Sequence, residues 1–123
     1  MICAPNGKEI TKIPHEDDWT RWCEALDHDD YTAVYDAIDE YVQGFVDDPL
    51  KTKCLKTAWI MGNDWRETVY NALYEATGQS EEQAGLFAGL FLFCVLMERE
   101  ERWMFTHDED DGAMMYCLWE EAT

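Results

Sequence analysis

Three histidines, five cysteines and 27 aspartates and glutamates are the groups through which this chain could move protons, hold a metal or act as a nucleophile. Their spacing supports none of these. His15, His28 and His107 stand singly beside acids, outside any HExxH, ExxH or Cys-His spacing that would close round zinc. They read as solvated or locally paired side chains. The run Asp108-Glu109-Asp110-Asp111-Gly112 hints at a calcium loop. With Gly112 at the sixth loop position, however, His107 would be first and Leu118 twelfth, where a bidentate glutamate is required. Carboxylate pairs are plentiful, yet no Ser-His or Cys-His pair and no glycine-rich phosphate loop accompanies them. No catalytic residue, metal or cofactor is expected, and the chain reads as a non-enzyme.

What the acids can do together is attract cations. Only nine Lys and Arg oppose them, leaving a formal net charge of −18 on 123 residues. A domain with that excess repels itself and draws basic surfaces. The charge is uneven: residues 15–48 and 98–123 are strongly acidic and flank a mildly basic middle with Lys51, Lys53, Lys56 and Arg66. Phosphate would have to approach that middle through the surrounding acids, so no direct nucleic-acid binding is expected and the cations are assigned to internal pairing.

The acids between 29 and 47 are patterned as well as abundant. At about 100° per residue, Asp29, Asp36, Glu40 and Asp47 fall within about 20° of one line along a helix. Val34, Ile38, Tyr41, Val42 and Phe45 gather on the opposite side, with Tyr31 and Tyr35 at its edge. Successive carboxylates rise about 10.5, 6 and 10.5 Å, sparser than the phosphates of a duplex, so one helix would need neighbours to imitate nucleic acid. A preceding helix supplies Asp17, Asp18, Glu24 and Asp27 away from its tryptophan face. Asp108, Glu109, Asp110 and Asp111 form a separate acidic patch.

The elements that position these residues read as helices. A single domain over 1–123 is expected, all-α, a compact bundle of about five to six helices around a central apolar helix at about 81–102. The N-terminal dozen residues are irregular or extended. Pro14 and Asp17 open a first helix to about Asp27, with Trp19, Trp22, Cys23 and Leu26 on one side. Asp29 or Asp30 caps a second to about Asp47, and Pro49 starts a third to about Met61. A fourth spans Trp65 to Thr77, with Trp65, Val69, Leu73 and Ala76 inward. Ser80-Glu81-Glu82-Gln83 is a capping box for the fifth, which is apolar all round from Ala84 to Met97. Its Gly85 and Gly89 suit close packing inside the molecule, ahead of a dimer contact. A last amphipathic helix carries Met114, Met115, Cys117, Leu118 and Trp119. Trp103, Met104 and Phe105 are either anchors of an interface ringed by charge or, by the simpler reading, core residues capping the long helix.

Cys3, Cys23, Cys54, Cys94 and Cys117 are odd in number and lack CxxC spacing, which suits reduced thiols, while leaving room for one bridge. The 14-residue apolar stretch is short of a bilayer span and no signal segment is legible, so a cytoplasmic protein is expected, monomeric or homodimeric, with no membrane contact. In size, soluble character and acidic helical surface the chain resembles the small phage and mobile-element inhibitors of the anti-CRISPR and anti-restriction type, which mimic DNA or RNA. The resemblance is general over the chain and assigns no site residue. It implies a stoichiometric inhibitor whose carboxylates occupy the basic, nucleic-acid-binding surface of a host defence complex, in the host cytoplasm if phage-encoded. Two other readings use the same features: an immunity protein or antitoxin covering a basic toxin, and an adaptor or assembly protein dimerising through the apolar fifth helix.

Overall fold

The computed structural model describes residues 1–48, 54–57, 68–107, 109–110 and 114–118. It overturns the all-α expectation: a mixed five-stranded sheet packs with helices in an α/β fold. In chain order the described elements are β1 (Ile2–Cys3), β2 (Glu9–Ile10), α1 (Glu16–Glu24), α2 (His28–Asp47) and β3 (Cys54–Lys56). Then come α3 (Asn71–Ala76), α4 (Glu81–Glu98), β4 (Trp103–His107) and β5 (Met114–Leu118). The sheet order is β2-β1-β4-β5-β3; β1 and β4 run parallel, and the other neighbours antiparallel.

The apolar helix α4 sits between the sheet and the first two helices. Its start is set by Ser80, whose Oγ accepts a hydrogen bond from the Gln83 backbone N–H. Around its circumference Ala84, Phe87, Ala88, Leu90, Phe91, Leu92, Phe93, Val95 and Leu96 are all buried, because different faces meet different layers. Phe93 meets Phe105 of β4 and Tyr116 of β5 edge-on, with centroids 6.2 and 6.3 Å away. Trp19 of α1 packs on Phe87 and Phe91 at 5.8 and 5.0 Å, and Tyr31 of α2 on Phe91 at 5.2 Å. Each large side chain so buried contributes roughly 1.5–3 kcal/mol. The helix ends at Glu98, short of the expected 102, because Trp103 must be extended to pair with Ile2. The Met1 amino group donates to the carbonyls of Leu96, Arg99 and Glu101, setting a positive charge at the C-terminal end of α4.

Two stretches expected to be helical contain strands. Of the helix read from Pro49 to about Met61, Cys54–Lys56 is β3, while 49–53 and 58–61 lie outside the described residues, and the last helix is β5 at Met114–Leu118. Pairing explains both: Leu55 lies opposite Tyr116 and Tyr116 opposite Phe105, which places Leu55 and Tyr116 in the core with no exposed surface. Of the expected fourth helix, Asn71–Ala76 is helical and Leu73 buried, whereas Val69 is exposed before its start. Trp65 and Trp119 lie outside the described residues. The first dozen residues are extended as the β1–β2 pair. Trp103 is fully buried and Phe105 packs against the core, so this segment belongs to the interior.

The cysteines are not all reduced. Cys54 and Cys117, opposite one another across β3 and β5, form a disulfide, while Cys3, Cys23 and Cys94 are free thiols. Among the described residues no helix is long and apolar enough to cross a membrane.

The close approach expected at Gly85 and Gly89 is absent. A Cβ at Gly85 would meet nothing within 4 Å, and at Gly89 only Thr57 Oγ1 at an ordinary 3.7 Å. Gly44, on the solvent side of α2, is equally open. Both Gly44 and Gly85 lie inside helices without positive φ, so Ala there restricts the unfolded chain at no steric cost. Gly44→Ala and Gly85→Ala are each expected to stabilise the protein by about 0.5–1 kcal/mol in urea unfolding. A loss at Gly85 would instead reveal a close neighbour.

Candidate functional site

The acidic surface is built on α2. Asp27, in an extended conformation, accepts the Asp30 N–H on Oδ1 at 2.9 Å and so starts the helix, two to three residues before the expected cap. Val34, Ile38, Val42 and Phe45 then turn inward and are buried. The helix has no choice of orientation, and Asp29, Asp36, Glu40 and Asp47 are all exposed on its other side. Asp29, Asp36 and Glu40 make no ion pair or side-chain hydrogen bond among the described residues. Asp47 accepts from Gln43 Nε2 at 3.0 Å. Asp36 and Glu40, one helical turn apart, repel each other by a few tenths of a kcal/mol, a cost paid in stability with no local return.

The α1 acids divide in two. Asp17 and Glu24 are exposed and unengaged among the described residues, whereas Asp18 pairs with Arg21 at 2.8 Å and Asp27 is the α2 cap. Trp22 is buried and Trp19 half-buried against α4, which turns the α1 acids away from the core. A short turn at Ala25–Asp27 joins the two helices, so their acids form one continuous run along the chain at that corner. Glu109 and Asp110 are exposed in the β4–β5 connection, on the sheet rather than on the helical layer; Asp108 and Asp111 lie outside the described residues. Of the basic middle, Lys56 is on β3, and Lys51, Lys53 and Arg66 are outside the described residues.

Sequence reasoning missed the cation that anchors this surface. Arg99 follows α4 and reaches back to α2: Nη1 donates to Asp39 Oδ1 at 2.7 Å and Nη2 to Gln43 Oε1 at 2.5 Å. Nε and Nη2 also donate to the two oxygens of Glu101 at 3.0 and 2.8 Å. These bonds hold the Glu101 carboxyl below the usual range, through hydrogen bonding from Arg99 more than through its charge. The available signal was an Arg set among acids directly after the helix that carries the apolar run Ala84–Met97.

Neither Cys23 nor Cys94 is prepared as a nucleophile. Cys23 and Cys94 are pushed up to about 11 by burial, so at neutral pH both are thiols. Tyr35 donates to Glu98, and Cys94 Sγ lies 3.9 Å from the same carboxylate, a contact that consumes it structurally. Among the described residues, no three His, Cys, Asp or Glu side chains come together to hold a metal. The surface is equipped to attract cations and to present carboxylates at fixed spacing. Searches against protein-family models, curated proteins and solved structures find no match to this chain.

Proposed function

We propose that the protein is a non-enzymatic acidic inhibitor that binds the basic, nucleic-acid-binding surface of a defence complex, setting carboxylates where phosphates would sit. The observation that carries this reading is the unneutralised line on α2: Asp29, Asp36, Glu40 and Asp47, exposed along one side of a helix in a chain of net charge −18. An ordinary solvated face mixes both signs, and this one carries no cation among those positions. Asp17 and Glu24 of α1 extend the field beyond one helix, and Glu109 and Asp110 offer a second patch. The proposed partner puts the site of action in the cytoplasm. Most of the apolar surface of α4 is buried inside its own fold, with Leu86 left exposed, which weighs against dimerisation through that helix.

The test reverses three charges. Asp36→Lys, Glu40→Lys and Asp47→Lys together are expected to slow association with a basic partner by tenfold or more at low salt, with a smaller deficit at high salt. The triple variant should also be slightly more stable, since it removes the Asp36–Glu40 repulsion. Wild-type and triple-Lys baits in bacterial lysate, with mass-spectrometric identification, supply the partner. Capture of a nucleic-acid-binding complex by wild type alone, displaced by added nucleic acid, supports the proposal. A single small toxin favours the immunity reading, and equal capture by both baits removes the stripe from the mechanism. A gel shift of duplex or single-stranded nucleic acid by the protein itself would contradict it.

A further inference from the structure

Charge steers a partner but does not seat it, and the described surface holds a groove where an apolar side chain could be seated. An open groove of about 450 Å³ lies between the α1–α2 corner and α3. Leu26, Val69, Ala72 and Ala76 contribute the apolar part of its floor, Thr68 and Asn71 set polar groups beside them, and Asp30 and Glu75 supply its carboxylates. Val69 is 44% exposed, a large apolar side chain left in water beside this floor. Asp30 spends its backbone N–H on the Asp27 cap, while its carboxylate has no partner among the described residues. Glu75 takes only a long 3.4 Å bond from Gln79 Nε2. Among the described residues no Lys or Arg lines the groove.

We infer that this groove receives an apolar side chain carried on a Lys/Arg-rich segment of the partner protein. The inference rests on the acidic-inhibitor reading and adds to it the point of anchorage. Charge complementarity selects the occupant. Among the described residues both ionisable side chains lining the groove are acids, and the stripe on α2 begins one residue from Asp30, at Asp29. An anionic metabolite or an anionic lipid surface would be repelled, and so would a second copy of the chain, which brings its own −18. A basic segment meets carboxylates on both walls while its central apolar group displaces water from the floor, the arrangement of an interface with a dry centre and a charged rim. The α2 stripe then raises the encounter rate, and the groove lengthens the stay.

The test uses ¹⁵N-labelled protein titrated, at physiological salt, with two synthetic seven-residue peptides, one with Leu flanked by three Lys or Arg on each side, the other with Ser in place of Leu. The Leu peptide should bind about tenfold more tightly and shift the amide signals of Leu26, Val69 and Ala72. Val69→Ser, at an exposed position that leaves the fold intact, should abolish that preference. Ala72→Arg, which fills the groove with a cation, should weaken both peptides and shift their contacts away from α3. The triple-Lys variant of α2 should weaken both peptides equally and preserve their ratio. Equal affinity of the two peptides for wild type, or an unchanged ratio in Val69→Ser, overturns the groove and leaves the acidic surface standing. An intact ratio with no loss of affinity in the triple-Lys variant supports the groove and removes the stripe.

Discussion

Opening the Cys54–Cys117 bridge is expected to cost the fold about 4 kcal/mol at 25 °C, the loop-entropy value for a closure of this length. The two cysteines are 63 residues apart, and the loop they close contains α3, α4 and β4, which is most of the core. The bridge also ties a three-residue strand, at the edge of the sheet among the described residues, to its neighbour β5. Without it, β3 depends on its ladder to β5 and on burial of Leu55. Urea unfolding with and without a phosphine reductant, beside the Cys54→Ala/Cys117→Ala variant, reads the effect. The midpoint should fall and the m-value rise, since an uncrosslinked denatured chain exposes more surface. Loss of less than 1 kcal/mol would mean that packing alone holds the edge of the sheet. The result bears on the proposed function, whose site of action is the cytoplasm, because redox buffers there keep most protein thiols reduced. Against a typical total of ~5–15 kcal/mol, the reduced form works with a thin reserve. The acids of α1 and α2 are on the helical layer, so partner binding should survive reduction as long as that layer stays packed on α4.

How far the sequence could be read depended on the range over which each element is determined. Helix α2 was legible because twenty residues repeat the 3.6-residue period through several turns, and the same wheel that buries Val34, Ile38, Val42 and Phe45 exposes the acid line. Ser80 was legible because a capping box is local. The sheet was not, for physical reasons. In β5, Met114, Cys117 and Leu118 stand three and four apart as on a helix, and the run Met114–Leu118 is apolar throughout, so no alternation shows. What makes it a strand is pairing with β4 and with β3, some sixty residues earlier, and no local pattern encodes that. The fully apolar α4 was recognisable as a core helix, but nothing in it said that one of its faces would be covered by a sheet. The exposure of Asp29, Asp36, Glu40 and Asp47 was readable, whereas the engagements of the acids were not. Asp18 and Asp27 are occupied locally, by Arg21 and by the α2 N-terminus, and Asp39 by an arginine from the other end of α4. That last partnership depends on how two helices cross, which sequence spacing does not specify.

Arg99→Ala is expected to destabilise the protein by about 2–3 kcal/mol, although its position between acids suggests a routine surface residue. The side chain is only 12% exposed and bonds Asp39, Gln43 and both oxygens of Glu101. Truncation leaves two carboxylates facing each other with no cation between them, in a protein already at −18. The estimate stays below the value for a fully buried pair because Asp39 is 44% and Glu101 26% exposed, and water can reach both. Arg99→Lys should recover only part of the loss, since an ammonium cannot present the planar fork that serves four acceptor oxygens on three residues at once. The pH dependence carries a definite sign. Glu101 is held below its ordinary value in the folded state, so its share of the stability is complete above the unfolded value of roughly 4.3 and is lost as pH falls through the lower folded value. The gap between wild type and Arg99→Ala should therefore be constant from pH 7 to about 5 and narrow in acid, where the orphaned carboxylates are neutralised. A gap that persists unchanged at pH 3, or a loss below about 0.5 kcal/mol at pH 7, would show that Arg99 contributes by packing its stem or hardly at all. Because Arg99 ties Asp39 and Gln43 of α2 to the end of α4, the same variant separates stability from recognition. It should loosen the rear of α2 while leaving Asp29, Asp36, Glu40 and Asp47 chemically intact. A partner that reads a fixed carboxylate spacing will then dissociate faster, whereas one drawn only by net charge will not distinguish the variant from wild type.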